Sequence, residues 1–161
     1  RHTDKGWYWG GQGPFTTKAK ALSVARAAYS SGYKEEQQMS SVGEFIGTLL
    51  HSGTITHVMH LQAKGQGSYA AHKALGEFYP AIPDLVDGLA ESIQGLTGEL
   101  IDGYPNVYAA ASSDPLQYLV SLQNYVKDNR DALPADSEIQ NDIDSIATLI
   151  NSTVYKLKFL Q

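Results

Sequence analysis

The chain has 161 residues and a formal net charge of −5, long enough for one ordinary domain with a real core plus a small appendage. The acidic balance argues against a broad nucleic-acid surface, and the opening Arg1-His2-Thr3-Asp4-Lys5 is too short and mixed to act as a basic DNA-gripping tail. Cysteine is absent, which excludes disulfides and thiolate metal sites and leaves the cytosol as the default compartment. No apolar run is long enough to span a membrane, and the start does not read as a signal peptide. Since residue 1 is Arg and not Met, a processed, trimmed or longer parent chain is expected.

In chain order, residues 7 to 15, Trp-Tyr-Trp-Gly-Gly-Gln-Gly-Pro-Phe, set aromatics before a glycine-rich turn, which suits a short strand or hairpin. Gly10-Gly11-Gln12-Gly13 lacks the lysine and hydroxyl of a phosphate loop. Thr16 or Thr17 can cap a helix over 18–30, with Ala21, Val24, Ala25 and Ala28 as a narrow apolar stripe. Residues 1–36 thus read as a strand-plus-helix appendage. It is either a packing lid or a docking element anchored by Trp7, Tyr8 and Trp9.

Residues 37–161 read as four long amphipathic helices. Ser41-Val42-Gly43-Glu44 has the form of a capping box, predicting a first helix from there to about Lys64 with Phe45, Leu49, Ser52, Thr56, Met59 and Ala63 along its inner stripe. A second helix over 68–97 carries Leu75, Phe78, Ile82, Leu85, Leu89, Ile93 and Leu96, and its Pro80 and Pro83 predict a kink or break near 79–83. Residues 98–113 form a linker crossing the bundle. Asp114-Pro115 opens a third helix to about Asn129, with Leu116, Leu119, Val120, Leu122 and Val126 inward. Ser137-Glu138-Ile139-Gln140 reads as a second capping box, opening a helix with Ile139, Ile143, Ile146, Ile150, Val154 and Leu157 inward. The expected architecture is an up-down four-helix bundle.

The turn at Gly65-Gln66-Gly67 gives the bundle its candidate chemistry. His60 lies five residues before Gly65 and His72 five after Gly67, so an antiparallel pair puts the two imidazoles at one height, a plausible pair of metal ligands. Asp87 and Glu91 are four apart and share a face of the second helix. Fifteen helical steps from His72 to Asp87 span roughly 22 Å, so a site using all four residues needs two antiparallel subunits. Imidazole and carboxylate ligands suit Fe(II), Mn(II) or Zn(II). His51 reads as structural, and the HxxH of His57 with His60, taken alone, is not a metal motif. Nothing stands out as a protease, nuclease or dinucleotide site.

The order His60, His72, Asp87, Glu91 around a hairpin turn resembles the ferroxidase segment of the Dps-like branch of the ferritin superfamily. The stretches HxxHLQ, SYAAHKALGEFY, DLVDGLAESIQG and YKLKF are most like ferritin-like proteins of tailed bacteriophages, over about residues 38–161. The resemblance implies a homo-oligomer, an antiparallel dimer or larger, with two histidines of one subunit facing the acidic pair of another, and oxidation of Fe(II) by peroxide or dioxygen there. One departure weakens it: the family's usual carboxylate one turn after the second histidine is Gly76 here, with Glu77 rotated by about 100°. Two functions are therefore expected. The first is a non-enzymatic phage protein, in the virion or in the host cytoplasm, that contacts other virion proteins and carries an inter-subunit metal site. The alternative is a Dps-like ferroxidase for iron storage or oxidative-stress protection.

Overall fold

A computed structural model describes the backbone of residues 2–3, 6–9, 12–15, 17–18, 20, 34–105, 110 and 112–160, and side chains at 17, 18, 20 and, within these bounds, from 42 onward. The chain divides into two compact units, Arg1–Met39 and Ser40–Gln161.

In the first unit three short strands, β1 (His2–Thr3), β2 (Gly6–Trp9) and β3 (Gln12–Phe15), pair antiparallel in chain order. Trp7 stands opposite Phe15 and Trp9 opposite Gln12, so the register slips between them. The two residues facing Tyr8 across that slip are Gly13 and Pro14, and a bulge is where a strand tolerates a proline. The helix expected over 18–30 lies outside the described residues except at positions 18 and 20, where the Lys20 amide donates to Thr17 Oγ1 at 3.2 Å, the bond of an N-cap.

The second unit is mainly helical. Its helices are α1 (Lys34–Gln62, which begins in the first unit), α2 (Ser68–Thr97), α3 (Pro115–Asn129) and α4 (Ser137–Phe159), with a 3₁₀ turn at Arg130–Ala132. The Ser41–Glu44 box does not open α1. Helix already runs through 34–41, where Lys, Glu and Gln propagate it without a stop signal. The Ser137 box does not form either. Asp136 is the N-cap residue, and the Gln140 side chain donates to the Pro134 carbonyl and accepts from Arg130. At α3 the expectation holds: Asp114 Oδ1 accepts from the Gln117 amide at 2.8 Å, ahead of Pro115. Helix α2 is not broken by Pro80 and Pro83. Gly53 of α1 lies against this step, 3.5 Å from the Tyr79 carbonyl oxygen measured from an ideal Cβ, so the absence of a side chain lets α1 close over the backbone that the prolines deprive of partners.

The stripes expected from periodicity line the core, with three exchanges. Val86 is buried where Leu85 is half-buried, Tyr118 where Val120 is exposed, and Thr153 where Val154 is half-buried; Leu96 is exposed. The buried hydroxyls are satisfied within their own helices: Ser52 donates to the Leu49 carbonyl, Thr56 to those of Ser52 and Gly53, and Thr153 to that of Leu149.

Helix directions follow from cross-helix pairs. Glu77 bonds Lys156 and Ser92 bonds Asp142, so α2 and α4 are antiparallel. Phe45 stacks on Tyr125, pairing the start of the described α1 side chains with the end of α3. Since α1 opposes α2 and α3 opposes α4, α2 and α3 run the same way, and the order is up, down, down, up. The simple up-down expectation is corrected: α2 ends and α3 begins at opposite ends of the bundle, in keeping with the expected linker that crosses it. At one end Gly43 would place a Cβ 1.8 Å from the Asp102 carbonyl oxygen; at the other, Ser113 and Asp114 share a groove with Met59 and Lys64. Sixteen helical steps from Gly43 to Met59 of α1 span roughly 24 Å.

Candidate functional site

The α1–α2 turn is built from two glycines in left-handed conformation, Gly65 (φ 90°) and Gly67 (φ 75°), and Gly67 also serves as the N-cap of α2. This closes the hairpin tightly enough to set His60 directly against His72, with ring centroids 3.7 Å apart and planes inclined by 21°. Each ring is held by the other residue's backbone: His60 Nδ1–H donates to the His72 carbonyl oxygen at 2.8 Å, and His72 Nδ1–H to that of His60 at 3.1 Å. A carbonyl can only accept, so Nδ1 carries the proton and the neutral imidazole keeps its lone pair on Nε2. That is the tautomer of an Nε2 metal ligand oriented by a backbone carbonyl. His60 is half-buried and His72 exposed.

Two neighbours extend the pair into a ring cluster. Tyr79 lies edge-on to His60 at 5.3 Å and stacks on exposed His57 at 4.0 Å and 8°. His57 is therefore part of the cluster, not a solitary surface residue, and Tyr79 was not singled out from the sequence. Its signal was there: the register that sets 60 opposite 72 sets 57 level with 75, one turn from 79. Gly76 also finds its reason. A Cβ there would meet His60 Cε1 at 3.2 Å and Nδ1 at 3.4 Å, so the ring occupies the space that a side chain at this position would take.

The other two predicted ligands lie elsewhere in the chain. Asp87 and Glu91 are exposed on α2, and since the helix is continuous Asp87 is roughly 22 Å along it from His72. Asp87 faces the crossover: burial first, and the Asp87 charge second, push the Tyr104 phenol above its ordinary value. Glu77, beside Gly76, is turned to Lys156, whose hydrogen bond and charge hold its carboxyl below the usual range. Among the described residues no group of three or more His, Cys, Asp or Glu is gathered to hold a metal ion within one chain. Trp7, Tyr8 and Trp9 all lie in β2, whose backbone is described, and their side chains lie outside the described residues.

The stacked pair also tests the fit of a shared ion. With ring centroids 3.7 Å apart and planes inclined by 21°, the two planes meet roughly 10 Å away, whereas an imidazole-bound ion lies about 2 Å from its nitrogen, in the ring plane. As stacked, the two rings do not fit one ion; holding it together requires one ring to turn out of the stack.

A helical bundle with an ordered histidine face is the class that these features define. The chain belongs to the family of unknown function DUF5856, which it matches over residues 60–157, a span holding both histidines, both carboxylates and the crossover. It is also similar to the uncharacterized 14.6 kDa protein in the mobD-ri intergenic region of Enterobacteria phage T4, at 31% identity over 68 residues, 42% of this chain and 51% of the T4 protein. The chain thus spans about half the length of that relative. No solved structure matches. Neither similarity is to a ferritin or Dps protein. No helix among the described residues is long and apolar enough to cross a membrane.

Proposed function

We propose that this chain is a non-enzymatic phage protein, associated with the virion or made in the infected host, in which the helical bundle is a rigid platform for protein contacts. The observation that carries the reading is the His57–Tyr79–His60–His72 cluster, an ordered set of rings on the outer face of the hairpin that the core does not use. Rigid, part-exposed rings lose little freedom when another surface covers them. Laid antiparallel on a second copy, this face would bring each histidine end onto the partner's Asp87 and Glu91, a self-complementary twofold contact. Trp7, Tyr8 and Trp9 would serve a contact with other virion proteins.

The second reading is a Dps-like ferroxidase. Two observations favour it: the Nδ1-to-carbonyl bonds leave each Nε2 free, and a bundle with a single long crossover has the connectivity of ferritin-like folds. It requires the imidazole stack to open against the partner's carboxylates.

One experiment separates the readings: native mass spectrometry of the whole chain, with and without Fe(II), Mn(II) or Zn(II). The platform reading expects a dimer or larger assembly without metal, weakened about tenfold or more by Glu91→Lys, about 1.4 kcal/mol. A monomer at every concentration would overturn it. Metal retained by the assembly and lost on His60→Ala, with Fe(II) oxidised, would favour the ferroxidase.

A further inference from the structure

Two Asp-Gly steps occur in the chain, Asp87-Gly88 and Asp102-Gly103. An aspartate followed by glycine is open to attack on its own side chain, because glycine has no Cβ to shield its amide nitrogen. Both steps are accessible, since all four residues are exposed. They differ in what holds the backbone.

Asp87-Gly88 lies inside α2, which runs unbroken from Ser68 to Thr97. There the Gly88 amide belongs to the helical ladder, and ψ of Asp87 is fixed in the helical well. Bringing the Gly88 nitrogen onto the Asp87 carboxyl carbon requires that ψ to rotate and the helix to open locally. Asp102-Gly103 lies between α2 and α3, in neither helix nor strand. Before it, Ile101 is buried and its amide donates to Gln94 Oε1 at 3.0 Å. The Asp102 carbonyl oxygen is set against Gly43 of α1, where a Cβ would collide with it. In a trans peptide the carbonyl and the N–H point opposite ways, so the Gly103 amide is turned away from α1. Gly103 has a left-handed φ of 71°, which glycine adopts without strain. Among the described residues, neither the Gly103 amide nor the Asp102 carboxylate has a hydrogen-bond partner.

We propose that Asp102 is a site of spontaneous modification, where the folded chain converts aspartyl to isoaspartyl with water as the only co-reactant, and that conversion loosens the crossover from α1. The Gly103 nitrogen attacks Asp102 Cγ and forms a bond to it. The hydroxyl of the protonated carboxyl group leaves as water with the amide hydrogen, closing a five-membered succinimide. Water then adds to the main-chain carbonyl of Asp102 and breaks its bond to nitrogen. The link to Gly103 now runs through the side chain, and the former main-chain carbonyl is a free carboxylate. Nothing is oxidised or reduced, and the mass of the chain is unchanged. The main chain has gained a methylene carbon where it packs on α1, and a neutral carbonyl that stood against Gly43 has become a charged group that needs water.

The test keeps the whole chain folded for several weeks at physiological pH and temperature, beside a sample in denaturant, and maps isoaspartate in the digested peptides by chromatography and fragmentation mass spectrometry. In the folded chain, conversion at 102 is expected to be at least about tenfold faster than at 87. In denaturant, which frees both steps, similar rates are expected. Hydrogen exchange on the aged folded chain is expected to show the Ile101 amide less protected in converted molecules. No isoaspartate at 102, equal rates at 87 and 102 in the folded chain, the same difference persisting in denaturant, or an Ile101 amide equally protected after conversion would each overturn the proposal.

Discussion

Gly76 shows how one residue can be read two ways. In the sequence it is a missing carboxylate; in the fold it is the floor on which the His60 ring lies. Alanine there gains helix propensity, up to about 1 kcal/mol, but its methyl group would crowd a ring already tied to the His72 carbonyl. Gly76→Ala is therefore expected to change stability by less than about 1 kcal/mol while shifting the His60 and His72 ring proton resonances. Unmoved resonances would mean that the stack does not depend on the space at Gly76. Asp87 and Glu91 were legible as neighbours from their spacing, and both stay exposed. The coupling of Asp87 to Tyr104 was not legible, because it depends on the path of the crossover and no local pattern encodes that path.

Helices α2 and α3 match their expected bounds because each carries local punctuation, the glycines at 67 and 98 and the Asp114-Pro115 pair. The start of α1 does not, because a capping box is a hydrogen-bonding opportunity that a continuing helix can leave unused. The exchanges of Leu85 for Val86 and Val120 for Tyr118 have one cause: neighbouring apolar residues are equivalent to a periodicity argument, and only the facing helix chooses between them. The crossover makes an element-scale prediction. Gly43→Ala places a methyl group on the Asp102 carbonyl, which is backbone and cannot rotate away, so a loss of about 2–3 kcal/mol is expected. Gly53→Ala meets the Ile82 side chain at 3.2 Å, which can shift, and should cost about 1 kcal/mol. Equal losses in chemical denaturation would refute the close packing of the crossover on α1.

At the scale of the whole molecule, the Glu77–Lys156 pair ties the hairpin end of α2 to the last turns of α4. Glu77's carboxyl is held below its ordinary value of 4.5, chiefly by the hydrogen bond and charge of Lys156. A carboxylate depressed in the folded state adds stability that is present above its unfolded value and is lost as pH falls through the folded one. The contribution should therefore fade below about pH 4.5. Both groups are solvent-accessible, so the effect is small and screened by salt. Glu77→Gln should slightly lower the melting temperature at neutral pH and low salt, and the difference from the unaltered chain should vanish in acid. A difference that grows in acid would reverse the assignment.

The amino-acid sequence alone determined that the chain is mainly helical, where two of the four helices begin and end, that one tight glycine turn sets His60 level with His72, and that the acidic pair lies too far along α2 to join them. These are consequences of local periodicity, turn chemistry and helical rise, which act over a few residues. Tertiary structure alone decided that the imidazoles stack on each other, that His57 and Tyr79 complete the cluster, and that the helices run up, down, down, up. It also decided that Leu100 stands exposed just beyond the end of α2. Each of these depends on which surfaces face one another across the bundle. That pairing is set by the burial of four apolar stripes together, not by any one of them.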